Sequence, residues 1–162
     1  MLALLLAATA STAPSVSANG LYSIQFERHA DGTCRIAVAK ESQPHWHLDR
    51  CVGGLHDLFF VSNNGERFWV LLPLPEKVKG AWPRTVVAIL YGRGGEVLEE
   101  KRLEALVSKP GRFNVRQLDR HFSWLQGTAQ HRGAPPRVTA ENRVELSTVE
   151  PKTLTLAFEK EL

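Results

Sequence analysis

Residues 58–72 read LFFVSNNGERFWVLL, two apolar runs separated by a Ser-x-Asn-Gly turn. An Asn-Gly pair adopts the positive φ angles of a tight hairpin turn, and aromatic and β-branched residues are typical of strands. This stretch therefore predicts a β-hairpin with its turn at Ser62–Gly65.

The same turn signature occurs earlier in the chain, where Ser17-Ala-Asn-Gly20 precedes an alternating run over residues 21–26. The two copies are offset by 62 − 17 = 45 residues, and in each copy an alternating strand and then a second apolar strand follow the turn. Such a period is typical of β-propeller blades, in which one small antiparallel sheet packs against the next. Two copies are too few for a ring. This repeat therefore indicates either two sheets packed face to face or a chance match between common turn sequences.

The rest of the chain extends the strand pattern. Residues 34–39 alternate apolar and polar and pair with 21–26 through an Asp-Gly turn. Residues 85–91 are β-branched and apolar almost throughout, which is typical of a central strand. Further strands are predicted at 96–103, 143–147 and 153–158, and helical segments at 104–107 and 114–125.

These elements predict a mainly β fold of antiparallel sheets, packed as a sandwich-like or blade-like pair, with one or two short helices. A chain of 162 residues with 43% apolar residues is long and apolar enough for one domain with a real core. We expect that domain to span residues 19–162.

The first 18 residues have the pattern of a signal segment. Residues 2–8 are apolar, and small residues follow up to Ala18, while Pro14 ends the run. The run is shorter than the ~20 residues that span a bilayer, so we expect no stable membrane insertion. No Lys or Arg precedes the run, which departs from the usual signal pattern. A buried or amphipathic first helix is the alternative interpretation.

The two cysteines agree with export to the periplasm or the extracellular space. An even cysteine count in an oxidising compartment favours a Cys34–Cys51 disulfide, whereas two buried thiols are expected if the protein is not exported. The charges sum to only +3 and are interspersed along the chain rather than clustered. A clustered basic footprint is typical of nucleic-acid-binding proteins, so we expect no nucleic-acid partner.

The order Ser-x-Asn-Gly, apolar strand, proline-rich loop, TVVAILYGRGGEVL at residues 85–98, then Leu-Glu-Ala-Leu and a Trp-bearing segment resembles a group of exported bacterial β-rich proteins with no known activity. The resemblance covers roughly residues 17–158. It implies a β-rich fold and an exported location, and it carries no functional residues across.

The densest polar cluster of the sequence is PHWHLDRC at residues 44–51. On a strand, His45 and His47 point to one face, and His56 or Asp49 is a candidate third ligand for zinc or copper. The alternative is a solvent-exposed hairpin or loop in which Trp46 faces the core and the histidines face water. We expect no specific metal site here, because Pro44 and a Gly-Gly pair surround the histidines.

No catalytic motif for acyl transfer, metalloprotease chemistry or nucleotide binding occurs in the sequence. Aromatic residues are better placed to bind a ligand than acids are to catalyse. Trp82 lies in a proline-bounded loop beside Arg84, and together with Trp46 these residues are candidates for stacking on a ligand. The sequence therefore predicts a binding or structural module for a protein, peptide or glycan, with no enzyme activity and no cofactor. A metal-binding accessory protein is the alternative.

Overall fold

A computed structural model describes residues 8–77, 82–109, 116–117 and 120–159. The chain is mainly β, with 46% of its residues in strands, all paired antiparallel. This confirms the predicted fold class. Among the described residues, no helix is long and apolar enough to cross a membrane.

The first sheet is a meander near the N-terminus. It contains β1 (Ala10–Ser11), β2 (Ser15–Val16), β3 (Tyr22–Arg28), β4 (Cys34–Lys40) and β5 (Gln43–Leu48). Both β1 and β2 pair with β3, one after the other, so the sheet is four strands wide. β3 and β4 alternate buried and half-buried positions, because only one of their faces packs on the core.

The second sheet is a four-stranded meander of β6 (Leu58–Val61), β7 (Arg67–Leu71), β8 (Val86–Gly92) and β9 (Val97–Arg102). The helix α1 (Leu103–Leu106) follows β9 directly, as the sequence predicts. β6, β7 and β8 are buried at most positions rather than at alternate ones, so this sheet is covered on both of its faces.

The third sheet contains three strands near the C-terminus, β12 (Arg137–Val138), β13 (Arg143–Ser147) and β14 (Thr153–Ala157). A two-stranded ribbon, β10 (Arg116–Gln117) and β11 (Phe122–Ser123), lies between the second and third sheets in the chain.

The second sheet forms the middle layer between two separate cores. Its Phe59, Val61, Phe68 and Val70 share one core with the first sheet. Its Phe60, Trp69, Leu71 and Leu90 belong to the other core, together with α1, β11 and the third sheet. The expected pair of packed sheets is therefore present, and the third sheet adds a further layer to it.

The two Ser-x-Asn-Gly turns, Ser17–Gly20 and Ser62–Gly65, have the same hydrogen-bonding pattern. In the first, the Ser17 amide donates to the Tyr22 carbonyl at 2.8 Å, and the Ser17 hydroxyl donates to Asn19 Oδ1 at 2.7 Å. In the second, the Ser62 amide donates to the Arg67 carbonyl at 3.0 Å, and its hydroxyl donates to Asn64 Oδ1 at 2.6 Å. The sequence repeat is thus a structural repeat and not a chance match.

A third turn, Thr139–Asn142, joins β12 to β13. The first turn likewise joins β2 to β3, and the second joins β6 to β7. The fourth residue of each turn has a positive φ: 75° at Gly20, 71° at Gly65 and 58° at Asn142. The sequence did not reveal this copy, because Glu141 and Asn142 replace the Asn-Gly pair of the first two turns.

Hydrogen bonds connect the three turns in a row, which we call the turn ladder. The Asn19 amide donates to Asn63 Oδ1 at 2.8 Å, and Asn19 Nδ2 donates to the Asn63 carbonyl at 2.9 Å. The Asn63 amide in turn donates to Asn142 Oδ1 at 2.9 Å. The turn ladder therefore fixes the same end of all three sheets.

Gly65 is required by its surroundings as well as by its φ angle. A Cβ atom at this position would lie 2.5 Å from the ring of Tyr22 on β3, and the Gly65 carbonyl accepts a 2.7 Å hydrogen bond from Trp46 Nε1 on β5. The second turn therefore packs directly against the first sheet, and any side chain here would push the two layers apart.

The predicted helix over residues 114–125 is wrong for the residues that the structure describes there. Arg116–Gln117 and Phe122–Ser123 form the ribbon β10–β11, and Trp124 and Leu125 are fully buried. Trp124 Nε1 donates to the Leu72 carbonyl at 2.8 Å. Extended backbone lets adjacent side chains enter the core from both sides, so tertiary packing overrides the helical spacing. Residues 114–115 and 118–119 lie outside the described residues.

The predicted disulfide is present. Cys34, at the start of β4, and Cys51, after β5, are bonded with a Cα–Cα distance of 4.8 Å. The bond therefore ties the β4–β5 hairpin together at its open end.

Candidate functional site

The outer face of the first sheet, which faces away from the second sheet, carries a shallow cavity of about 350 Å³. We call it the outer trough. Ala37 and Ala39 of β4 lie in it, and their small side chains leave room above the strand. Its other lining residues are Pro14, Ser23, Gln25, Glu27, Arg35, Val38, Ser42, Pro44, His45, Trp46 and His47.

A β-bulge shapes one wall of the outer trough. Ala37 lies opposite His47 and Val38 opposite Trp46, but Ala39 lies opposite Pro44, so His45 has no partner on β4. A bulge turns the extra residue away from the regular alternation. His45 accordingly lies at 5.4 Å from the Tyr22 ring and 3.7 Å from Glu66, while His47 extends over the outer face.

Charged groups at the other end of the outer trough pair with one another. Arg35 Nε donates to Asp49 Oδ1 at 2.7 Å, and His47 Nε2 lies 3.5 Å from Asp49 Oδ2. The hydrogen bond from Arg35 lowers the pKa of Asp49, and the same bond raises the pKa of Arg35. Glu27, which lies opposite Arg35 on β3, adds a second carboxylate to the lining, so the trough presents a polar rim with both signs of charge above a floor of small side chains.

The structure does not bring three of the candidate metal ligands together. His45 contacts Tyr22 and Glu66, His47 contacts Asp49, and His56 lies exposed in the loop between the first and second sheets. Among the described residues, no group of three or more His, Cys, Asp or Glu side chains is placed to hold a metal ion.

The aromatic candidates are more enclosed than a stacking platform requires. Trp46 is 8% exposed, faces the core as one interpretation of the sequence held, and lies 6.0 Å from the Phe68 ring. Trp82 begins a 3₁₀ turn (Trp82–Arg84), is half-buried, and packs on Phe122 at 5.6 Å. Arg84 is exposed beside it. Of the candidate residues, His45, Trp46 and His47 line the outer trough, and the sequence did not single out most of its other lining residues.

A serine–histidine pair that the sequence also did not reveal lies under the third sheet. Ser123 Oγ is 2.7 Å from His131 Nε2, the spacing of a nucleophile and its base. Ser123 is fully buried, however, so a substrate cannot reach its hydroxyl. The pair instead fastens the loop in which the Gly127 amide donates to the His131 carbonyl at 2.9 Å.

No family model matches this chain, and no curated protein or solved structure matches it either.

Proposed function

We propose that the protein is an exported, non-catalytic binding module whose outer trough holds a polar ligand. The observation that carries the proposal is the outer trough itself, an open cavity in which small floor residues lie below hydrogen-bonding side chains. Concave sites with a few convergent polar groups are the usual form of ligand sites.

The chemistry of the rim defines the ligand class. Arg35 pairs with Asp49, and Glu27 supplies a carboxylate that accepts hydrogen bonds from N–H or O–H groups. Gln25 Nε2 already donates to the Thr12 carbonyl at 2.7 Å, which fixes its amide in place. The hydroxyl groups of Ser23 and Ser42 and the imidazole of His47 also line the cavity. Such groups suit an uncharged ligand rich in amide or hydroxyl groups, that is, a peptide segment or a glycan residue.

The test is a titration of isotope-labelled protein with a panel of neutral tripeptides and a panel of mono- and disaccharides, followed by amide chemical shifts. We expect shifts that cluster at Gln25, Ala37 and His47 with one of the two panels. Ala39→Leu should fill the floor and weaken binding by about tenfold, whereas Val97→Leu, on an exposed position of β9, should not. Absence of shifts with both panels would exclude the proposal.

Export is proposed on the N-terminal pattern and the disulfide, since disulfides persist in oxidising compartments. The test is mass spectrometry of the protein isolated from its native host. We expect a mature chain that starts after Ala10, since cleavage after Ala18 would remove β2 and Ser17 of the first turn. A cytoplasmic protein that retains Met1 would contradict the proposal.

A further inference from the structure

The third sheet lacks a strand that the first sheet has. Across their widths the first and second sheets are four strands wide, whereas the third ends at its third strand, β14. In the first sheet, the fourth strand β5 covers the second sheet, with Trp46 against Phe68 and its side-chain N–H on the Gly65 carbonyl. The equivalent position beside β14 holds no strand among the described residues.

Two adjoining cavities mark that position, and together they form what we call the strand groove. The first, of about 360 Å³, is lined by four consecutive residues of β14, Leu154 to Ala157, and by Trp69, Lys101 and Leu106. The second, of about 440 Å³, is lined by Arg67, Leu90 and Leu98. Glu99 and Glu159 line both. The groove thus runs along the free edge of β14, above the face of the second sheet.

The edge of β14 offers backbone groups to the strand groove. Trp69 Nε1 donates to the Ala157 carbonyl at 3.1 Å, so this carbonyl points away from β13. The Thr148 amide donates to the Lys152 carbonyl, which points the other way, toward β13. Backbone groups alternate in direction along a strand, so the N–H and C=O of Thr155 also point into the groove.

The sequence of β14 leaves this edge unprotected. The edge strand β5 contains Pro44, and the edge strand β9 contains four charged residues, Glu99 to Arg102. Proline and charge at edges prevent pairing with other chains. The sequence of β14 is TLTLA, which contains neither proline nor a charged residue. A free edge of this composition accepts an additional strand readily.

We propose that the strand groove binds an extended segment of another protein as the fourth strand of the third sheet, antiparallel to β14. This goes beyond the proposed function because the groove lies in a different sheet from the outer trough. Alternate side chains of the segment point at Leu98, Leu106 and Trp69 and are apolar. This is the strand-addition mode of peptide recognition.

Both signs of charge line the strand groove. Glu99 and Glu159 line both cavities, and Lys101 lies 2.6 Å from Glu99. Arg143, which lies opposite Ala157 on β13, also lines the first cavity. The groove therefore selects no sign of charge at the ends of the segment, and the alternating apolar positions define it.

A second copy of this chain does not fit as the occupant through its own β14. Pairing two β14 edges about a two-fold axis keeps the inner faces of both third sheets on the same side. The inner face of the second β14 is already covered by its own second sheet, since Leu156 is 4% exposed. The two second sheets would therefore occupy the same space beneath the joined strands.

The experiment adds a strand to the full chain. The peptide Lys-Val-Thr-Val-Thr-Val follows Leu162 through a short Gly/Ser linker, which gives it an effective concentration in the millimolar range. The matched control is Lys-Val-Pro-Val-Pro-Val. It keeps the inward valines but removes the N–H groups opposite Thr155, because residues opposite each other on one face share the same backbone direction. We expect amide exchange at Thr155 to slow by about tenfold or more with the first peptide only.

Two protein variants extend the test. Thr155→Pro removes the edge donor without touching the β13 ladder, and since it also removes the reporting amide, its readout is the melting temperature, in which any rise caused by the first peptide should be abolished. Leu98→Lys should weaken the effect, because it places a charge among the apolar residues that the inward valines contact. Equal exchange with both peptides overturns the proposal. So does a parent protein that sediments as a dimer and becomes monomeric in Thr155→Pro, because the occupant is then a second copy.

Discussion

The first and third sheets pack on opposite faces of the same middle sheet, and they meet solvent in different ways. The first sheet covers the second with four strands, a disulfide holds its last hairpin, and its edge strand contains Pro44. The third sheet covers it with three strands and ends in the uncharged β14. One repeated unit therefore provides a closed layer at one side of the molecule and an open edge at the other.

The two outer sheets expose different groups to a binding partner. On the first sheet only the outer face is available, so a ligand lies on side chains in the outer trough. On the third sheet the edge is available, so a ligand pairs with backbone groups. Side-chain recognition selects for chemical groups, whereas strand addition selects mainly for extended conformation and alternating polarity.

The largest effect is expected at the contact between the middle and third sheets. Trp69 is fully buried and its indole N–H bonds to β14, so Trp69→Ala should lower the free energy of unfolding by about 3–5 kcal/mol. Trp82→Ala, at the half-buried rim of the same core, is the control and should cost clearly less. Urea unfolding measures both. Equal losses would mean that the buried contact contributes no more than the rim.

Removing the disulfide tests whether the first sheet depends on its closure. The Cys34→Ala, Cys51→Ala double variant should lose about 3 kcal/mol, because the bond closes a loop with a sequence separation of 17 residues. Hydrogen exchange should increase in β4 and β5 and remain unchanged in β13 and β14. An equal increase in the third sheet would show that the two outer layers are not independent.

The turn ladder joins the layers, and Asn142 tests its link to the third sheet. Asn142→Gly keeps the φ of 58° accessible but removes the oxygen that accepts from Asn63, which should cost about 1 kcal/mol. Asn142→Ala also introduces backbone strain and should cost about 2 kcal/mol. Thermal unfolding measures the loss of stability in both variants. Equal losses would show that Asn142→Ala introduces no backbone strain.

The pKa values of Asp57 and Asp49 are shifted in opposite directions, so the two carboxylates should make the stability of the fold depend on pH in opposite ways. Burial raises the pKa of Asp57 above its ordinary value of 3.8, although the Gly54 amide donates to it at 2.6 Å. The stability that Asp57 contributes is thus fully present below its unfolded pKa and is lost as pH rises through the folded pKa. The pKa of Asp49 is lowered by Arg35, so its contribution is lost as pH falls.

Asp57→Asn should therefore remove a decline in stability that starts above about pH 4, whereas Asp49→Asn should remove a loss at acid pH. Chemical unfolding of both variants and the parent, from pH 3 to pH 7, measures the two slopes. The difference in unfolding free energy between parent and variant should change with pH in opposite directions for the two substitutions. A change in the same direction for both would contradict these assignments.

The smallest effect is expected from metal. Micromolar zinc or copper should shift the melting temperature of the parent by less than about 1 °C, because a weakly bound ion stabilises the fold little. His45→Ala with His47→Ala is the control. A rise of several degrees in the parent that is absent from the double variant would instead favour the metal-binding alternative.

The strand positions could be predicted from sequence because their patterns are local. The alternation in β3, β4 and β13 follows from one buried face, and the Asn-Gly turns set the hairpins. The helix predicted around Phe122 failed because its spacing is also compatible with extended backbone, and the core contacts of Trp124 decide between the two.

The wall of the outer trough formed by residues 44–47 belongs to a polar cluster that is visible in the sequence, but the rest of the trough could not be predicted, because no motif marks its small and polar residues. Ala37, Ala39 and Gln25 acquire a role only when β3, β4 and β5 lie side by side. The histidines were noticed because they are close in sequence, but the bulge at Val38–Ala39 gives His45 and His47 different neighbours.

The sequence by itself determined the β class, the paired cysteines and the two Ser-x-Asn-Gly turns, since each depends on residues close in the chain or on a count. Only the tertiary structure shows that the repeated turns stack into one ladder with a third, divergent copy, and that within the described residues the third sheet has one strand fewer than the first. These features arise between segments far apart in sequence, where pairing and packing, rather than local preference, fix the geometry.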